Sequence, residues 1–138
     1  FQGSITRNAV SLASVVGATL NFSNNLEAVR TIRSDGKIDG ADPGLTNVSG
    51  TIRVRYADTT LMTDALGSSS IAIALAYTIG ATQSVTFTIP RAWLSKPKRP
   101  ISGPGGVEVT YDYQGSYDGT ALCALSVVLK NQNDGTAY

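Results

Sequence analysis

The sequence predicts a mainly β fold, an antiparallel β-sandwich or barrel of roughly six strands with one short helix. Three observations carry the prediction. Apolar and polar residues alternate with period two through most segments, the pattern of strands whose successive side chains point to opposite faces. One stretch alone breaks the alternation with apolar residues at helical spacing, and two long connections are rich in Gly, Pro and Asp.

Taken in order, the first alternating run sets Val16, Ala18, Leu20 and Phe22 against Thr19, Asn21 and Ser23. Residues 32–49 then string together Asp35-Gly36, Asp39-Gly40 and Asp42-Pro43-Gly44 with almost no apolar anchor, so they read as a long loop of the functional or disordered kind. In residues 51–56 Ile52, Val54 and Tyr56 face the core, and Arg53 and Arg55 lie opposite. Residues 58–67 predict the helix: Asp58 caps it, Leu61, Met62, Ala65 and Leu66 form an apolar stripe, and Gly67 stops it. That stripe is expected to close one end of the sheet structure.

Residues 70–78 place Ile71, Ile73, Leu75 and Tyr77 on one side and only alanines on the other, which predicts a central strand covered on both faces. Gly80-Ala81-Thr82-Gln83 is the turn of a hairpin into Val85, Phe87 and Ile89, which alternate with Ser84, Thr86 and Thr88. Trp93, just past that strand, is expected to be buried. Residues 96–106 are basic and rich in breakers, so they project from the sheet. Val107, Val109, Tyr111 and Tyr113 alternate with Glu108, Thr110, Asp112 and Gln114, and a last strand over residues 121–130 turns Cys123, Leu125, Val127 and Leu129 inward.

Composition narrows the function. The chain has 138 residues, 42% of them hydrophobic, which suits one domain able to bury its own core. Phe1-Gln2-Gly3-Ser4 reads as the remnant of a cleavable expression tag and is set aside, leaving residues 5–138 as a single β domain taken from a longer protein. The longest apolar run, residues 71–77, is far shorter than the roughly 20 residues of a membrane-crossing helix.

There is no histidine, which removes the usual general base and the usual zinc ligand, and the single cysteine lies in an apolar run without a base to activate it. No enzymatic activity and no cofactor are expected. Asp35, Asp39 and Asp42 lack the ligand spacing and closing glutamate of a calcium loop, so no metal is expected either. Glu108 and Asp112 share a strand face roughly 13 Å apart, too far for an acid–base pair.

Net charge is +1 from 11 basic and 10 acidic residues, so no global field draws the chain to nucleic acid or an anionic membrane. Arg53, Arg55, Arg91, Lys96, Lys98 and Arg99 read as a solvated face. Gly103-Pro104-Gly105-Gly106 has no helix after it to cradle a phosphate and is a turn.

Read in order, several segments resemble one family. They are Asn24-Asn25-Leu26-Glu27, Asp35-Gly36, Val48-Ser49-Gly50-Thr51-Ile52 and Arg55-Tyr56-Ala57-Asp58, followed by the runs at residues 85–92 and 107–118. Together, in this order and spacing, they resemble the tail tube proteins of long-tailed bacteriophages, over nearly the whole chain.

The resemblance implies a β-sandwich or barrel flanked by a helix, closing into hexameric rings that stack into the tube through which DNA leaves the virion. It implies a homo-oligomer that meets other tail proteins, passes DNA without specific binding, touches no membrane, and resides in the virion tail after assembly in the host cytoplasm. Some members carry two such domains in tandem, and the resemblance leaves open whether rings hold single or paired domains.

On this reading Arg53, Arg55, Thr86, Thr88, Glu108, Thr110, Asp112 and Gln114 are candidates for the lumen wall. A mixed lining releases passing DNA where a basic one would hold its phosphates. Asp35, Lys37, Asp39, Asp42, Lys96, Lys98 and Arg99 are candidates for contacts between rings or subunits. The alternative class is a carbohydrate- or receptor-binding β-sandwich module of a virion or cell surface, which would need an exposed aromatic platform such as Trp93.

Overall fold

The computed structural model describes residues 2–32, 34–37, 39–55, 59–79, 82–97 and 107–131. Among them run β1 (Gln2–Arg7), β2 (Val10–Ser11), β3 (Val15–Ser23), β4 (Glu27–Val29), β5 (Gly40–Asp42), β6 (Asn47–Arg55), α1 (Thr60–Gly67), β7 (Ile71–Ile79), β8 (Gln83–Leu94), β9 (Glu108–Gly115) and β10 (Ser126–Lys130). The fold is mainly antiparallel β with one short helix, as the alternation predicts. The described residues hold ten strands, however, where roughly six were expected.

Seven strands run in the order β2-β1-β7-β8-β9-β6-β3 within an eight-stranded sheet, and β10 joins it beside β8. The sheet does not close into a barrel. β7 lies between β1 and β8, the central place its two apolar faces required. The core gathers Val48, Ile52 and Val54 of β6, Val109, Tyr111 and Tyr113 of β9, Ile71, Ile73 and Leu75 of β7, and Ile89, Ala92 and Leu94 of β8. Leu61 and Ala65 of α1 complete it, so the helix buries part of its predicted stripe against the sheet, while Met62 is half-buried and Leu66 is exposed. Each large aliphatic side chain so buried contributes roughly 1.5–3 kcal/mol of transfer free energy.

Strand β8 changes partners midway, which explains its length and its proline. Residues 84–88 pair with β10 and residues 92–94 with β9, while β7 runs alongside. Between Ile89 and Ala92 the β7 register shifts, so Pro90 falls where neither ladder claims an amide hydrogen.

Several sequence expectations are corrected. Gln2, Gly3 and Ser4, set aside as outside the fold, pair with Thr78, Tyr77 and Ala76 in the sheet. Val16 was assigned to the core but is 46% exposed, because a register shift between Val15 and Gly17 turns Val15 inward instead. Gly67 is the last helical residue, and the left-handed C-cap is Ser68 at φ 50°. The N-cap Thr59 makes no side-chain capping bond, and Asp58 lies outside the described residues, as does Tyr56. The last strand covers only Ser126–Lys130, with Val127 and Leu129 exposed. Residues 32–49 hold β5 and the start of β6, so they are no structureless loop.

Two local devices hold the amino-terminal hairpin. Arg7 makes a bidentate ion pair with Asp64, a buried carboxylate of α1. Asn8 and Ala9, at φ 48° and 66°, form the two-residue turn between the paired residues Arg7 and Val10. Both residues are left-handed, as a type I′ turn requires, yet Ala9 carries a Cβ where glycine is preferred. Ala9→Gly is therefore expected to raise stability by about 0.5 kcal/mol, read as a higher urea midpoint at unchanged slope.

Candidate functional site

Strands β3, β6 and β9 turn one polar face away from the core. Its rows follow the register: Gly17 beside Arg53 and Thr110, Thr19 beside Thr51 and Asp112, Asn21 beside Ser49 and Gln114, with Arg55 opposite Glu108. Thr19 and Thr51 share a hydroxyl hydrogen bond of 2.9 Å, and Gln114 Nε2 donates to Asn47 Oδ1 at 2.9 Å. Arg53 Nε stands 3.6 Å from Glu108 Oε2, both side chains about half exposed, so the pair contributes at most about 1 kcal/mol. Two arginines, Arg53 and Arg55, are balanced by two carboxylates, Glu108 and Asp112, and the face is formally neutral.

Six of the eight candidate wall residues thus lie together on adjacent strands. Thr86 and Thr88 lie on the same side of the sheet but on its other wing, between β7 and β10. There Thr88 sits in a row with Ala74 and Ser126, and Thr86 with Ala76 and Val128.

Trp93, expected to be buried, is 38% exposed within β8, beside Gln114 on the polar face. Its Nε1 donates to Ser116 Oγ at 3.3 Å, and the Arg91 guanidinium stacks 5.5 Å from the ring centroid. Arginine rather than solvent covers that side of the ring.

On the inner side, Tyr113 crosses from β9 over Gly50 and donates its hydroxyl hydrogen to the Thr19 carbonyl at 2.7 Å. Burial, with Tyr77 adding to it, pushes the Tyr113 phenol up to about 12 from its ordinary 10.0. The folded state holds this proton more tightly than the unfolded chain, so the stabilisation is complete below about pH 10 and lost as pH rises through about 12. Tyr113→Phe should cost about 1 kcal/mol at neutral pH through the lost hydrogen bond. Its stability curve should then converge on that of the parent as the pH passes about 11 in denaturant titrations. Parallel curves would refute this.

The sheet ends in free strand edges. Among the described residues β3 has only β6 beside it, β2 only β1 and β10 only β8. β10 exposes Val127, Val128 and Leu129, apolar residues from both its faces. Alongside lies an apolar groove of about 230 Å³ lined by Tyr77, Ile79, Val85 and Leu129, with Lys130 at its rim. A second recess, of about 450 Å³, lies at the seam between β1–β2 and β3, where Ile5, Leu12 and Val15 meet Tyr77. An edge strand apolar on both faces is a surface that natural β proteins ordinarily protect.

The turn-rich stretch forms a hairpin arm, the separate two-stranded sheet of β4 and β5. Its base is clamped where the Gly44 amide donates to the Asn24 and Asn25 carbonyls and Asn25 Nδ2 donates to the Leu45 carbonyl at 2.8 Å. Asp42 pairs with Glu27, the Asp39 amide donates to the Val29 carbonyl at 2.9 Å, and Asp35 and Lys37 flank Gly36 in the connecting segment. The arm exposes Leu26, Ile32 and Leu45. Lys96 is exposed just beyond β8, while Lys98 and Arg99 lie outside the described residues. Strands of three residues were too short for alternation to register, and the apolar edge of β10 was read as core because its pattern is that of a buried strand.

An open β-sandwich with a neutral polar face, free apolar edges and a projecting hairpin is thereby defined. The chain belongs to the phage tail tube protein family, whose model matches residues 1–115. Solved structures of similar fold come from contractile injection systems. One, from the sheath/tube terminator of the extracellular contractile injection system PVC, is 13% identical with a TM-score of 0.67 and covers 93% of this chain and 94% of that one. The tube-terminating cap of the anti-feeding prophage is 11% identical with a TM-score of 0.66, covering 92% and 87%. No curated protein matches this chain by sequence.

Proposed function

We propose that copies of this chain join edge to edge into closed rings, that the rings stack into a tail tube, and that DNA passes through the channel during ejection. The observation that carries this reading is two of the sheet's edges, those of β10 and β3. β10 offers an uncovered apolar strand at one place in the sheet and β3 a nine-residue edge at another. Different surfaces meeting head to tail generate a ring when the rotation closes.

The neutral face of β6 and β9 supplies the wall, with Arg53, Arg55, Glu108, Thr110, Asp112 and Gln114 towards the channel, and Thr86 and Thr88 continue it on the neighbouring wing. Paired charges of both signs let phosphates slide past without a net attraction to slow them. The arm, with Asp35, Lys37, Asp39 and Asp42, reaches the next ring or subunit, and Lys96, Lys98 and Arg99 lie in a second contact segment. Related injection-system proteins are found in complexes with a sheath, a cap and a baseplate, which supports other tail proteins as partners. The protein is then made in the host cytoplasm and ends in the virion tail.

The test is the mass of the assembled species across a concentration series, by light scattering after size exclusion, followed by negative-stain microscopy. Rings or tubes are expected from the parent chain. Leu129→Lys, at a position 69% exposed, should leave the monomer folded and abolish ring closure. Replacing residues 25–45 by an Asn-Gly turn, which leaves Asn24 opposite Thr46 beyond the Ser23–Asn47 pair, should keep the fold and remove stacking. A parent chain that stays monomeric throughout, or variants that assemble as the parent does, would overturn the reading.

A further inference from the structure

The sequence contains four Asp-Gly pairs, at residues 35–36, 39–40, 118–119 and 134–135, and the first three lie among the described residues. Each has the same reactive dipeptide, because glycine brings no Cβ to keep its amide nitrogen from the preceding carboxyl. The fold treats them differently. Asp118 is fixed on all sides: its Oδ2 accepts the Ala121 amide at 2.8 Å, its own amide donates to the Cys123 carbonyl, and its carbonyl accepts the Leu122 amide. Asp39 donates its amide to the Val29 carbonyl, and Gly40 stands in register with Val29 inside the β4–β5 ladder. Cyclisation at either place must first disturb main-chain hydrogen bonds, those of the β4–β5 ladder at Asp39 and those to Leu122 and Cys123 at Asp118.

Asp35 is exposed in the connecting segment of the arm, outside the β4–β5 ladder, and is followed by Gly36 at φ 67°; space is open around an added Cβ at Gly36, as it is at Gly40 and Gly119, so backbone order and not room separates the three. Asp35 Oδ1 accepts the Lys37 amide at 3.2 Å. This turn folds the carboxyl forward along the chain, towards the peptide group whose nitrogen must attack it.

We infer that Asp35 is a modification site, the aspartate of this chain that converts spontaneously to isoaspartate and so becomes a substrate for an isoaspartyl O-methyltransferase. The Gly36 nitrogen forms a bond to Asp35 Cγ, the amide proton and a carboxyl hydroxyl leave together as water, and a five-membered succinimide results. Water then adds to the imide. Opening at the former main-chain carbonyl carries the backbone through the β-carboxyl and frees an α-carboxylate for methylation, with no net change in mass and no redox partner. The rerouted turn gains one methylene at the end of the arm.

The intact 138-residue chain, incubated warm at near-neutral pH, is mapped by peptide mass spectrometry and by methyl transfer from labelled S-adenosylmethionine. Isoaspartate should accumulate about tenfold faster at Asp35 than at Asp39 or Asp118, since loop tips react where ordered backbone does not. In the denatured chain the three rates should draw together. Asp35→Glu, which would need a larger ring, should remove the signal at that position alone. Equal or faster conversion at Asp39 or Asp118 in the folded chain, or an Asp35 lead that survives denaturation unchanged, would overturn the assignment.

Discussion

Gly50→Ala is expected to lower stability by at least about 3 kcal/mol, one of the largest losses available to a single methyl group in this chain. Gly50 lies mid-strand in β6, between Leu20 of β3 and Tyr113 of β9. A Cβ there would overlap the Thr19 carbonyl oxygen and lie 2.5 Å from Tyr113 Oη and 2.7 Å from Cζ. Neither neighbour can give way cheaply. The carbonyl is backbone, and the ring is 3% exposed, packed in the core and tied by its hydroxyl to that same carbonyl. Relief requires prising β3 from β6 or expelling the tyrosine. Against a total stability of about 5–15 kcal/mol, the expected readout is a melting temperature lower by roughly 10 °C, or a chain that no longer folds. Tyr113→Phe should not rescue it, because the overlap with Thr19 remains. A variant melting within a degree or two of the parent would show that the sheet absorbs the methyl group.

Asp64→Ala should cost about 2–3 kcal/mol, because it removes the bidentate partner of the Arg7 guanidinium at a site three-quarters shielded from water. The ion pair joins two places 57 residues apart in sequence, the end of β1 and the middle of α1. Its loss should loosen the amino-terminal hairpin first, so amides of β1 should exchange with solvent faster than those of β6 and β9. Arg7→Met with Asp64→Leu, which replaces the pair by apolar groups of similar size, should recover most of the stability. A single variant that unfolds with the parent's midpoint would mean the pair contributes no more than a surface contact.

Much of the architecture was legible because burial imposes the period of two on side chains. β6, β7 and β9 alternate as their sequences say, and Ile52, Ile73, Leu75, Val109 and Tyr111 are buried as that pattern requires. Where the pattern misled, a tertiary cause is visible. Val16 faces out because a bulge inserts one residue into β3, which alternation cannot register. Val127 and Leu129 face out because no described residue forms a second layer over β10, although its composition is that of a covered strand. Trp93 stands on the polar face because β8 continues through Pro90 instead of ending there.

The wall candidates divide in the same way, six to two. Six of them alternate with buried residues on β6 and β9 and could be found by parity alone. That Thr86 and Thr88 lie on the other wing depends on which strands neighbour β8.

By itself, the sequence determined what is local or periodic: a mainly β chain, one short helix between β6 and β7, the inward set of its central strands, and a neutral polar face suited to a structural role. The tertiary structure alone decided what depends on partners distant in the chain. Strand order, the open seam, the free edges, the Arg7–Asp64 pair and the close passage of Tyr113 over Gly50 all join residues far apart in sequence. The physical reason is that a side chain's face follows from its own strand's pleat, whereas its neighbours across the sheet follow from the packing of the whole core.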